Sequence, residues 1–224
     1  MCGRFTLTAL PEEISRTFGV PFQLSGYDKR YNIAPSQDVA ALFTIDGEKL
    51  YEYLHWGFIP FWAKDRSIGN RMINARAETL AEKKSFKSSF LKSRCLVIAD
   101  GFYEWRQQGS SKTPVYIFLK HHRPFGFAGL WSTWRSPEGQ TIKSCTLITT
   151  HANEKLKPIH DRMPVILNES DHTPWLDPDN KDVEALRRLL EPYEGDRMEF
   201  YEVSNWVNSP GHEGKKCTER VVHP

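Results

Sequence analysis

Two runs of strand-forming residues, 39–45 and 50–55, flank the short turn Asp46-Gly47-Glu48. So short a connection lets the runs pair only antiparallel, because a parallel crossover needs a dozen residues or more. Further strand-type runs follow at 95–99, 115–119, 145–149 and 164–167. Helical patterns are fewer. Residues 11–18 follow a candidate cap at Thr8, 85–91 form a basic segment, and 180–190 place Val183, Leu186 and Leu190 on one face. Strands and helices do not alternate regularly, which argues against a parallel doubly wound sheet. The expectation is an α+β fold, a mainly antiparallel barrel-like or two-sheet β core with a few peripheral helices.

A chain of 224 residues with 39% hydrophobic content can bury a real core, and the pattern reads as one domain over residues 1–224, with no internal repeat. No apolar run reaches 18 residues and the start lacks a hydrophobic signal segment, so a membrane span and secretion are not expected. The expected compartment is the cytoplasm. Cysteines at 2, 95, 145 and 217 are too scattered for a CxxC metal or redox motif, so free thiols, no metal and no cofactor are expected.

Net charge is only +2, but it is unevenly distributed. Between His55 and Arg94 nine Lys or Arg face three acids, whereas eleven acids face four bases between Glu169 and Glu202. Either run by itself describes a solvated face. The basic run differs in carrying Trp56, Phe58, Phe61 and Trp62, since cations beside stacking surfaces are what a single nucleic-acid strand requires.

Four segments carry candidate chemistry. Removal of Met1 from Met1-Cys2-Gly3-Arg4 leaves one residue with both an α-amine and a thiol. The amine titrates near about 7.7–8.0 and the thiol near about 8.5, so a fraction of each is nucleophilic at neutral pH. Such a pair condenses with an aldehyde and closes a thiazolidine ring; alternatively Cys2 is an incidental small apolar residue. In an extended Ile73-Asn74-Ala75-Arg76-Ala77-Glu78, the side chains of Asn74, Arg76 and Glu78 share a face, either as a phosphate and substrate cradle or as an ordinary strand edge. Glu104, between Tyr103 and Trp105, is either desolvated and suited to proton transfer or turned to water. His160 in Pro158-Ile159-His160-Asp161-Arg162-Met163-Pro164 is either a general acid or base or a solvated loop residue.

Together these segments resemble the SRAP family, the SOS-response-associated peptidase or abasic-site processing proteins. The resemblance runs in order through Met1-Cys2-Gly3-Arg4-Phe5, Tyr31-Asn32-Ile33-Ala34-Pro35, Trp56-Gly57-Phe58-Ile59-Pro60, Ile73 to Glu78, Ala99 to Trp105, Phe127-Ala128-Gly129-Leu130-Trp131 and Ile159 to Pro164. The residues after Asn208 carry no recognisable motif. The resemblance implies that Cys2 becomes N-terminal and traps the ring-opened sugar of an abasic site in single-stranded DNA. It implies that Asn74 stabilises the linkage, that Glu104 helps open the sugar and that His160 assists proton transfer. It further implies that Arg4, Asn32, Pro35, Trp56, Trp62, Arg76 and Arg162 hold the flanking strand without reading sequence. The protein is expected to act as a monomer on DNA.

Two other readings stay open. One is a cysteine hydrolase using Cys2, His160 and Glu104, most plausibly for autocatalytic removal of Met1. The other is a non-covalent single-strand binding module. A zinc site is disfavoured by the absence of ligand spacing.

Overall fold

The computed structural model describes residues 2–222; Met1, on which the expectation of an exposed terminal cysteine rests, lies outside them. The chain runs through β1 (Phe5–Leu7), α1 (Pro11–Phe18), β2 (Arg30–Ile33), β3 (Asp38–Ile45), β4 (Glu48–Trp56), β5 (Asn74–Arg76), α2 (Lys84–Lys92) and β6 (Arg94–Ala99). It continues through β7 (Gly101–Gln108), β8 (Ser111–Leu119), β9 (Phe125–Arg135), β10 (Thr141–His151), β11 (Arg162–Pro164), α3 (His172–Leu176), α4 (Val183–Arg188) and β12 (Met198–Glu202).

The hairpin expected from Asp46-Gly47 is β3–β4, with Ile45 opposite Glu48. Asp46 and Gly47 both have positive φ, 51° and 83°, the backbone whose twist matches that of paired strands. Strands β10, β4, β3, β6 and β9 then close into a barrel, because β9 pairs with both β6 and β10. The ring includes one parallel pairing, β10 with β4, and β5 adds a second alongside β10, where the sequence leads us to expect antiparallel neighbours. The long excursion between β4 and β10 supplies the connection that a parallel pair needs. A second, antiparallel sheet has the order β12-β8-β7-β1-β2. The fold is α+β with few helices, as expected.

The sheet seats on the barrel through aromatic side chains. Phe5 of β1 and Phe102 of β7 both meet Phe127 of β9 edge-on, with ring centroids 5.7 and 5.9 Å apart, and all three are fully buried. Each such ring contributes roughly 1.5–3 kcal/mol of burial free energy. Strand alternation turns Tyr103, the next residue of β7, to the opposite face. There it joins Tyr116, Phe118, Val203, Val207 and Cys217 in a second, smaller cluster. Glu104 therefore returns to the face that looks toward the barrel.

Helix α1 has the expected bounds, but Thr8 does not cap it. Its backbone N–H and hydroxyl both donate to Asp100, while Leu10 occupies the cap position and gives its N–H to Glu13. Helix α4 is shorter than expected because Asp182 caps it, accepting from the N–H groups of Glu184 and Ala185. The strand read at 164–167 lies earlier, with Pro164 opposite Thr149, and only Ile166 retains an isolated bridge to Phe127.

Candidate active site

Cys2 precedes β1 and is fully buried; its thiol points to the carbonyl oxygen of Arg4 at 3.9 Å, a weak contact. Desolvation, reinforced by the nearby Glu104 charge, pushes the thiol well above its ordinary range. Asn74, the first residue of β5, donates its side-chain amide to the Cys2 carbonyl at 2.8 Å. The other amide atom, Oδ1, is buried with no hydrogen-bond partner among the described residues. An unpartnered buried acceptor beside a thiol can take a hydrogen bond from an incoming donor.

Glu104 is 4% exposed, and desolvation raises its carboxyl above the usual carboxylate range, with the facing His160 among the groups that oppose the shift. A carboxyl whose affinity for a proton is raised is better suited to give as well as take one. His160 Nδ1 meets two different partners. It accepts the Arg162 backbone N–H at 3.0 Å, and it lies 2.9 Å from the Asp161 carboxylate. The neutral ring uses Nδ1 as the acceptor and so carries its proton on Nε2, whereas the charged ring places a proton on Nδ1 toward Asp161. Both states thus have a partner, which suits a residue that passes protons. The four residues expected to carry the chemistry are brought into one linked group: Cys2 is bonded to Asn74 and coupled electrostatically to Glu104, which is coupled to His160.

The residues expected to hold DNA divide in two. Trp62 is 51% exposed and Phe61 65% exposed. Trp62, Lys64 and Arg71 line a groove of about 630 Å³ on the segment that leads into β5. Arg76 ends β5 exposed, with no acidic partner among the described residues. Pro35 is half-buried in the turn after β2, beside Ser36 at φ 68°.

The others are turned inward. Trp56 is fully buried, packs 5.1 Å from Phe5 and donates its indole N–H to the Ile73 carbonyl, so it anchors the residue before Asn74 rather than stacking on a base. Phe58 is likewise in the core. Arg162 is 9% exposed and forks onto Glu78, with Nη1 to Oε1 at 2.5 Å and Nη2 to Oε2 at 3.1 Å, and also donates to the Thr149 carbonyl. This corrects the expectation of one extended face: the chain leaves β5 after Arg76, and Glu78 sits in a helical turn where Arg162, not Arg76, is its partner. Arg4 and Asn32 bond to each other and to main-chain carbonyls of residues 207–212. Arg94, the last cation of the basic run, is also buried, donating to carbonyls of Phe90 and Trp175. Basic and aromatic residue types alone do not tell a surface from an interior.

No group of three or more potential metal ligands occurs among the described residues, and no described helix is long and apolar enough to cross a membrane.

Proteins of known sequence and structure resemble the chain along most of its length. The abasic site processing protein YoqW of Bacillus subtilis (strain 168) is 46% identical over 222 residues, covering 98% of this chain and 99% of its own length. The abasic site processing protein YedK of Escherichia coli (strain K12) is 31% identical over 184 residues, covering 79% of each chain. A crystal structure of a Bacteroides thetaiotaomicron protein superposes with a TM-score of 0.88 at 27% identity, covering 99% of this chain and all of the other. The family model for SOS response associated peptidase (SRAP) matches residues 1–210. With that match across nearly the whole sequence, the chain belongs to the SRAP family.

Proposed function

We propose that the protein processes abasic sites in DNA by forming a covalent bond through Cys2, exposed as the N-terminal residue by removal of Met1. The observation that carries this reading is the grouping of a buried Cys2, an Asn74 amide on its carbonyl and a desolvated Glu104 that feels the charge of His160. Abasic deoxyribose is largely a closed hemiacetal, so its aldehyde must be released by moving a proton off the hydroxyl and onto the ring oxygen. Glu104 and His160 supply that exchange.

The Cys2 α-amine then attacks the aldehyde carbon and water leaves, giving an imine. The thiol sulfur adds to the imine carbon while its proton passes to nitrogen, which closes a thiazolidine. One water is lost overall and no oxidant is needed. The orphaned Asn74 Oδ1 accepts a hydrogen bond from the ring nitrogen or a sugar hydroxyl. Trp62 and the exposed cations Lys64, Arg66, Arg71 and Arg76 hold the neighbouring single strand by stacking and phosphate contact, with the protein acting as a monomer.

This order of events differs from that of a cysteine hydrolase. A hydrolase needs a thiolate to attack first, whereas here the amine attacks first and the thiol closes the ring afterwards. The test compares wild type with Cys2→Ala on a single-stranded oligonucleotide bearing one abasic site. Wild type is expected to give a denaturant-resistant adduct without reductant, and Cys2→Ala, which keeps an α-amine, only when borohydride traps the imine. An equally resistant adduct from unreduced Cys2→Ala refutes the ring.

A further inference from the structure

The segment after β12 carries no recognisable motif, yet its polar anchors converge on the residues beside Cys2 and Glu104. Strand β1 is only three residues long, and Cys2 lies ahead of it. The ladder beyond Phe5 opposite Phe102 is extended by one main-chain bond, from the Tyr103 N–H to the Arg4 carbonyl. The position of Cys2 relative to Glu104 therefore depends on what holds Arg4.

Arg4 is held from behind. Its Nη1 donates to the Val207 carbonyl at 2.7 Å and to Asn32 Oδ1 at 2.8 Å, and its Nη2 to the Asn208 carbonyl at 3.4 Å. Asn32 fastens the same segment, donating to the carbonyls of Ser209 and His212 at 2.9 and 2.8 Å. The residue after Glu104 is anchored there too, since Trp105 donates its indole N–H to Asn208 Oδ1 at 2.8 Å. Asn208 thus grips both strands, Arg4 through its backbone and Trp105 through its side chain. The guanidinium of Arg4 also lies 5.8 Å from the Trp105 ring.

The segment is stiffened where it makes these bonds. Trp206 stacks on His212 at 3.5 Å, and Lys216 lies 4.2 Å over the Trp206 ring. Val207 and Cys217 are fully buried in the small cluster behind β7, where Tyr103 is also packed. Ordering an irregular segment costs about 1–2 kcal/mol of backbone entropy per residue. Here the bonds that offset that cost end on the neighbours of two reactive groups.

We propose that residues 203–217 are a strap that sets the spacing of Cys2 and Glu104 from the rear of the sheet, with Asn208 and Trp105 as positioning residues for ring closure. The proposal rests on the crosslinking reading above. Small displacements of reacting groups are costly to rate, so loosening the strap slows the chemical step while leaving DNA capture alone.

The experiment uses the full-length protein and a single-stranded abasic oligonucleotide, and measures the single-turnover rate of adduct formation against DNA concentration. Asn208→Ala and Trp105→Phe each remove the same bond and are expected to lower the saturating rate about tenfold. Half-saturation should shift by less than about twofold, since encounter contacts are untouched. Asn208→Asp keeps an acceptor for the indole and should recover most of the rate. The double variant Asn208→Ala/Trp105→Phe should be no slower than either single one.

A lowered melting temperature with an unchanged saturating rate would make the strap a stabilising element only and overturn the proposal. A change confined to half-saturation would overturn it as well. If either variant fails to fold, Asn208→Asp against wild type still decides, because loss of rate in that variant contradicts the assigned bond. Absence of any adduct from the unaltered protein refutes the crosslinking reading and the strap with it, whereas wild-type rates in all variants refute the strap alone.

Discussion

The side-chain amide of Asn74 donates to the carbonyl oxygen of Cys2 at 2.8 Å, and its own buried oxygen has no partner among the described residues. The bond ties the start of β5 to a residue that precedes β1, across 72 positions of sequence. Asn74 itself is located by the barrel, opposite Leu147 of β10, and by Trp56, whose indole fixes Ile73.

Asn74→Ala should therefore separate chemistry from stability. It removes one hydrogen bond but also an unsatisfied acceptor, so unfolding free energy measured in urea should change by less than about 1.5 kcal/mol. Adduct formation should slow by about tenfold or more, since the Cys2 backbone is released. A large stability loss with a normal rate would make Asn74 a structural residue.

Glu104 should give the protein a characteristic pH dependence. Its folded carboxyl titrates above its unfolded value, so the folded state binds the proton more tightly. The associated stability is fully present below the unfolded value of about 4.3 and is lost as pH rises through the folded one. Glu104→Gln removes that loss. Its melting temperature should exceed wild type at pH 7, with the gap closing as pH falls to about 4, while adduct formation is slowed. A gap that widens in acid would contradict the assigned direction.

Glu78 should show the opposite slope. The Arg162 guanidinium bonded to it holds its carboxyl below the usual range. Its contribution is present above the unfolded value and fades as pH falls through the folded one. The Glu78 side chain is 40% exposed, so screening limits the effect, and Glu78→Gln should cost less than about 1 kcal/mol at pH 7. Denaturant titrations of the variant and wild type at pH 7 and pH 3 should converge at the lower value.

The two tryptophans expected to meet DNA should behave differently. Trp62→Ala removes an exposed stacking surface and should weaken single-strand binding by about 1–3 kcal/mol, read by fluorescence anisotropy, with little change in stability. Trp56→Ala opens a hole beside Phe5 and should cost about 3–5 kcal/mol of folding stability. Equal effects of the two changes on binding alone would return Trp56 to the DNA surface.

Local signals in the sequence correspond to local structure. Helix α1 begins and ends where Pro11 and Phe18 say, and the β3–β4 hairpin turns at Asp46-Gly47. Residue types alone left Cys2, Glu104 and His160 each open between a chemical and a structural role, and the order of motifs along the chain is what singled them out. What escaped was non-local or made by the backbone. The β4–β10 pairing joins segments nearly ninety residues apart, and no periodicity announces it. The strap is anchored largely through main-chain carbonyls of Val207, Asn208, Ser209 and His212, which any residue type presents. The resemblance assigns Arg4 and Asn32 to the DNA strand, whereas the Nη groups of Arg4 and the side-chain amide of Asn32 are engaged within the fold.

Cys2 is proposed to trap a sugar aldehyde with its own amine and thiol. Intact mass spectrometry of the purified protein, before and after exposure to a single-stranded oligonucleotide with one abasic site, tests it most directly. The expected starting mass lacks Met1, and the expected product is heavier by the oligonucleotide less one water. A retained Met1, or an unchanged protein mass after exposure, would contradict it.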